Sequence, residues 1–160
     1  MSGSGSFGVN YKKSYGTDPA IIPAKLGDIG SDPDGAWMFV KASAAVAQYA
    51  FVYIVDAYTA AETAAASTIV QHVGVAQVAL AINEYGWVWI GGAGGGGTGK
   101  GIKGKILGSY VANTPLLVTV TAGTADDTGT ATTIKNVSAT TLTTGAANVE
   151  LKSTGYLTVN

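Results

Sequence analysis

Neither cysteine nor arginine occurs in this chain. The first absence removes disulfides, thiolate metal sites and thiol nucleophiles together, so the fold must stand without covalent cross-links. The second removes the guanidinium fork, the side chain best shaped to grip phosphate and guanine in bidentate fashion, which argues against nucleic acid as a partner. Charge is scarce as well. Nine lysines and ten acids make up 12% of the 160 residues, with a formal net charge of −1, so the polar surface has to come from Thr, Ser, Asn and backbone. Long apolar runs are also lacking: the least polar stretch, residues 42–55, is interrupted by Ser43 and Gln48 and stops at Asp56, short of the ~20 apolar residues a bilayer helix needs. The N-terminal MSGSGSFGVN has neither the basic start nor the apolar segment of a secretory signal. The expectation is a soluble protein, made inside the cell, with no membrane partner.

What is present reads as β. A chain of this length forms one domain and can bury roughly 70% of the surface its unfolded form exposes. The most telling segment is GVAQVALAINEYGWVWIGG, residues 74–92. Val78, Leu80 and Ile82 alternate with alanines, residues 83–86 supply turn formers, and in the second strand Trp87 and Trp89 share one face while Val88 and Ile90 take the other. This predicts a hairpin covered on both faces. Further strands are expected over 36–41 (AWMFVK), 48–56 (QYAFVYIVD), 67–72, 116–121, 131–137, 139–143, 148–152 and 156–159. The Ala-rich link 59–67 has helix propensity without an apolar stripe and reads as loop or short helix. No repeat stands out. The spacing predicts an all-β, single-domain sandwich or barrel, jelly-roll-like variants included, with Trp37, Phe39, Phe51, Tyr53, Val78, Leu80, Val88 and Ile90 in its core.

Residues 1–16 are rich in Gly, Ser and Tyr without periodicity and form an extended N-terminal arm ahead of a β-rich domain over 17–160. Phe7, Tyr11 and Tyr15 are the aromatics through which such an arm could grip a neighbouring subunit.

Candidate chemistry is thin. GGGGTGK at 94–100 satisfies a phosphate-loop spacing, yet Gly101 stands where a magnesium-holding hydroxyl is needed and no helix follows. Asp28, Asp32 and Asp34 precede Gly35 as in part of a calcium loop, but the loop's first and last ligands would be Gly30 and Lys41, and a plain Asp-Pro-Asp-Gly turn accounts for them. Asp126 and Asp127 are adjacent and should point apart. His72 is the single histidine, and no nucleophile elbow accompanies it. The sequence therefore predicts no catalytic residue, no metal site and no cofactor. It does not read as an enzyme.

KASAAVAQYAFVYIVDAY, VGVAQVALAINEYGWVWIGG, Asn113-Thr114-Pro115-Leu116 and TAGTADDTGTATTIKNV together resemble the small capsid decoration, or cement, proteins of tailed bacteriophages, over about residues 36–160. The most specific part is Gly74 to Gln77 with Tyr85 to Val88. The glycine insert 91–101 departs from that pattern and the arm is not covered by it. The resemblance implies a virion structural protein on the outer surface of the head, made in the host cytoplasm, reinforcing contacts between major capsid proteins. A mostly uncharged domain with apolar residues on both faces of 86–90 has surface to spare for a partner, so a homo-oligomer is expected, a trimer favoured and a dimer possible. A second reading from the residues is a receptor- or glycan-binding module of a phage tail or bacterial surface, in which Tyr85, Trp87 or Trp89 would stack on sugar.

Overall fold

A computed structural model describes residues 9–64, 72–128, 132–141 and 144–159. Phe7 and all of the expected strand over 67–72 except His72 lie outside them. The described chain is all-β, with eleven strands and two 3-10 turns.

Strand β1 (Ile29–Asp32) turns through Pro33 and Asp34 into β2 (Gly35–Ala42). Asp32 Oδ1 accepts the Asp34 N–H at 2.8 Å, the side-chain turn that Asp-Pro-Asp-Gly favours. Next come β3 (Phe51–Val55), β4 (Thr59–Glu62), β5 (His72–Ala76) and β6 (Tyr85–Gly91). β2 pairs with β6, β6 with β5, β5 with β3 and β3 with β4, all antiparallel. β4 then returns to β2 in parallel through Lys41↔Thr59 and Ala42↔Ala60, closing a five-stranded ring. Alternation along the strands fills it: Met38, Val40, Val52, Ile54, Ala60, Ala76, Val88 and Ile90 form one buried cluster with Val46 and Leu80.

The second half repeats this plan. β7 (Lys103–Ile106), β8 (Leu116–Val118), β9 (Ala125–Asp126), β10 (Thr133–Ala139) and β11 (Ala147–Val159) pair in the same cyclic order. β7 pairs with β11, β11 with β10, β10 with β8 and β8 with β9. β9 returns to β7 in parallel at Ile106↔Ala125. Register correspondence is residue by residue: Lys41↔Tyr85 matches Lys105↔Asn148, and Ile54↔Ala60 matches Val118↔Ala125. Irregular positions correspond too. Tyr49 and Asn113 both have φ of 66°, and their N–H groups donate to Ala76 and Ala139, each the last residue of its strand. Within this duplication AYTAAET (57–63) aligns with AGTADDT (122–128). A repeat is thus present, contrary to the reading of the sequence, hidden because aromatic and β-branched residues of the first ring such as Tyr49, Phe51, Val75 and Trp89 are replaced by Asn113, Pro115, Ser138 and Lys152 in the second.

The rings are packed together through their strands. β6 meets β11 at Gly91↔Tyr156. A Cβ on Gly91 would lie 2.2 Å from Leu157 Cδ1, and its φ is 86°, so this junction requires glycine. Phe51 reaches from the first ring to within 2.9 Å of where a Gly104 Cβ would sit. Gln77 exchanges side-chain hydrogen bonds with both main-chain groups of Lys103, at 2.8 and 3.0 Å. Large apolar side chains sealed here contribute roughly 1.5–3 kcal/mol each.

Several expected elements differ. The link at 59–67 contributes β4 rather than a helical turn, because Ala60 and Ala61 pair with Ile54 and Tyr53. The first hairpin strand is His72–Ala76, not 78–82. Residues 77–84 instead form a connection in which Leu80 bridges to Val46, while Ile82 is 59% exposed. Val78 is only half-buried, whereas the other seven expected core residues are buried. Gln48 and Tyr49 precede β3 because Tyr49 is left-handed. The predicted break at 153–155 is absent, and β11 runs through it as one strand of 13 residues. β10 covers the segment expected over 131–137 from Thr133 on, with an irregularity between Lys135 and Val137, and reaches only Ala139 of the segment expected over 139–143; residues 131, 142 and 143 lie outside the described residues.

Candidate functional site

The arm does not extend into solvent over residues 9–16. β5 leaves β6 after Ala76, and Tyr15 takes its place, donating to Tyr85 O at 2.7 Å and accepting from Tyr85 N at 2.8 Å. Tyr11 stacks on Trp37 with ring centroids 4.3 Å apart and planes 7° from parallel. Phe39 lies between Tyr15 (5.9 Å, edge-on), Tyr85 (6.1 Å) and Trp87 (5.1 Å). Of the sequence-predicted site residues, Tyr11, Tyr15, Tyr85, Trp87 and Trp89 therefore belong to one aromatic face of β2 and β6, and Phe7 is outside the described residues. Trp87 and Trp89 are buried, and Tyr85 is half-buried under Tyr15. The expected sugar-stacking platform is thus occupied by the chain's own arm and core.

The polar ends of these rings are unequally served. Trp89 Nε1 donates to Asp34 O at 3.0 Å, whereas Trp37 Nε1 and Trp87 Nε1 are buried with no hydrogen-bond partner among the described residues, each a desolvation penalty of about 1–3 kcal/mol. The Tyr11 hydroxyl is pushed above its usual range by burial first and then by the Asp34 and Asp32 charges.

The phosphate-like glycine loop holds an anion of its own chain. Gly99 N–H and Gly101 N–H both donate to the Glu150 carboxylate, at 2.9 and 3.1 Å, the use of convergent amides that such loops favour. Lys100 is exposed. Asp28 accepts from Lys25 N and Asp32 from Asp34 N, so each serves a local turn. Among the described residues no three His, Cys, Asp or Glu side chains converge on a point that could hold a metal. His72 opens β5 opposite Ile54.

Asp126 and Asp127 do not point apart as expected. Asp126 is buried, and burial is the first cause that raises its carboxyl above the usual range, with the neighbouring Asp127 charge and hydrogen bond adding to it. The Asp127 N–H donates to Asp126 Oδ1 at 2.9 Å, and Asp127 Oδ2 accepts Val111 N–H at 2.9 Å. This pair braces the 107–115 loop.

An open concavity of the molecule's second half escaped the sequence reading. A groove of about 390 Å³ runs over β10 and β11 beside the 113–115 loop, lined among others by Asn113, Pro115, Lys135, Asn136, Ser138 and Lys152. Lys135, Asn136 and Lys152 are exposed, and Asn136 has φ of 66° at the β10 irregularity, its Nδ2 donating to Tyr156 O at 2.9 Å. The signal available in sequence was Lys-Asn inside a Thr-rich strand, since asparagine tolerates a left-handed backbone. No protein-family model, no curated protein and no solved structure matches this chain.

Proposed function

We propose that this protein is a virion structural component, a decoration protein that binds the outer surface of a tailed-phage head and reinforces contacts between major capsid proteins as a homotrimer. The observation that carries this reading is where the apolar surface lies. Tryptophan and phenylalanine are buried in the core among the described residues, while the exposed large apolar side chains are mostly aliphatic: Ile82 (59% exposed), Val111 (56%) and Val120 (79%) on connections and Ile29 on β1, with Tyr156 exposed on β11. Exposed aliphatic side chains suit adhesion to another protein surface, where many weak contacts are multiplied by copy number and symmetry.

Co-sedimentation of the purified full-length chain with empty and with expanded heads tests it. Saturable pelleting with heads supports the reading. Absence of pelleting together with retention on a glycan array would replace it with the receptor-binding alternative. Sedimentation velocity reads the oligomeric state, and a monomer that decorates heads would overturn the trimer alone.

A further inference from the structure

The duplication assigns a role to the groove on the second ring. On the first ring the corresponding surface is filled. Tyr49 O accepts Lys105 N–H at 2.9 Å, Gln77 grips the Lys103 main chain, and Phe51, Tyr53, Val73, Val75 and Trp89 are buried in the cluster shared with the second ring. Strand for strand, Asn113 corresponds to Tyr49, Pro115 to Phe51, Ser138 to Val75 and Lys152 to Trp89. These are the residues that line the groove. The face that docks a β-ring in the first half is therefore presented open in the second.

Its chemistry is basic where that of the first ring is apolar. Lys135 and Lys152 are both exposed in a lining that, among the described residues, consists of hydroxyl, amide and aliphatic groups and contains no carboxylate side chain. The β10 irregularity falls here as well. Gly74 and Val75 are consecutive in β5, whereas their counterparts Ile134 and Ser138 are separated by Lys135, Asn136 and Val137. Such an insertion re-aims side chains at functional edges of sheets, and this one carries a lysine into the groove.

We infer that this groove is a protein-docking site that takes an extended segment bearing carboxylates from a partner chain, in the manner that the first ring takes β7. A polar, charged version of a buried interface suits a contact made between separately folded molecules rather than within one. The lysines set the orientation and steer the encounter with an acidic surface. That the partner is the head surface rests on the function proposed above, whereas the groove's preference for carboxylates does not.

Two measurements on the full-length chain test this. Fluorescence anisotropy with a dye-labelled peptide of alternating Glu and Val is the first, and co-sedimentation with heads is the second. Lys135→Glu/Lys152→Glu should weaken peptide binding tenfold or more, while Lys100→Glu, on the exposed glycine loop, changes it less than twofold. Lys135→Gln/Lys152→Gln should fall between and establishes that charge is responsible. Equal weakening by Lys100→Glu, or no anisotropy change with the wild-type chain up to millimolar peptide, overturns the inference. Peptide binding at the groove without head binding removes the decoration reading and leaves the groove standing. Head binding unchanged in Lys135→Glu/Lys152→Glu removes the groove as the docking site and leaves the decoration reading standing.

Discussion

The Glu62 carboxylate accepts the Ala47 N–H at 2.8 Å across the end of the first ring. The second ring has the same bond between Asp127 and Val111, at 2.9 Å. In each ring an acid at the end of the third strand holds the connection that follows the first strand. It satisfies an amide that no strand partner reaches.

Glu62→Ala is expected to lower stability by about 1–3 kcal/mol, the range for removing a charge-assisted bond to a part-buried amide. Asp127→Ala should act in the same direction. Urea denaturation of both single variants and of the double variant checks this, and the effects should add, since the two bonds belong to separate rings.

Tyr15→Ala should cost about 3–5 kcal/mol, because it deletes a buried aromatic that packs against Phe39. Tyr11→Ala removes a stack worth about 0.5–1.5 kcal/mol beyond its area and admits water to Trp37, so tryptophan emission should shift to the red. Raising the pH works on the same contact. The Tyr11 hydroxyl titrates above the usual 10.0 in the folded chain, so its contribution is complete below pH 10 and is lost as pH rises through the raised value. An emission spectrum of Tyr11→Ala identical to the wild type would contradict the stacking.

Asp126 makes a second pH dependence with its own window. Its carboxyl is raised from 3.8 in the folded state, so the folded chain holds that proton more tightly than the unfolded one. Relative to Asp126→Asn, the wild type should therefore be most stable below pH 3.8 and lose ground as pH rises through the raised value. Denaturation midpoints of both proteins at several pH values give the difference directly, and a constant difference would count against it.

Glu150→Gln should release the glycine loop. Hydrogen exchange at Gly99 and Gly101 is expected to accelerate, with a loss of about 0.5–1.5 kcal/mol at most for these exposed bonds. Lys100→Ala should change stability by less than about 0.5 kcal/mol. Micromolar ATP binding that Lys100→Ala abolishes would show that the loop serves phosphate instead of Glu150.

Leu80→Ala should cost about 2–5 kcal/mol, since its side chain plugs the first ring against Val46 and Gly86. A cost near zero in urea denaturation would place Leu80 outside the core.

Alternation of apolar residues settled much by itself. The strand expected at 36–41, the opposed faces of Trp87 and Val88, the Asp-Pro-Asp-Gly turn and the all-β class follow from local pattern and turn chemistry, which act over a few residues and so can be read in one dimension. Ring closure could not be read that way. The Ala-rich segment at 59–62 becomes a strand only because Ile54 and Lys41 offer it partners on both sides, and pairing of this kind overrides propensity. The burial of Tyr15 depends on β5 leaving β6 after Ala76, and the groove depends on which face of each ring the other covers. Those are relationships between residues far apart in the chain, and only the packed structure decides them.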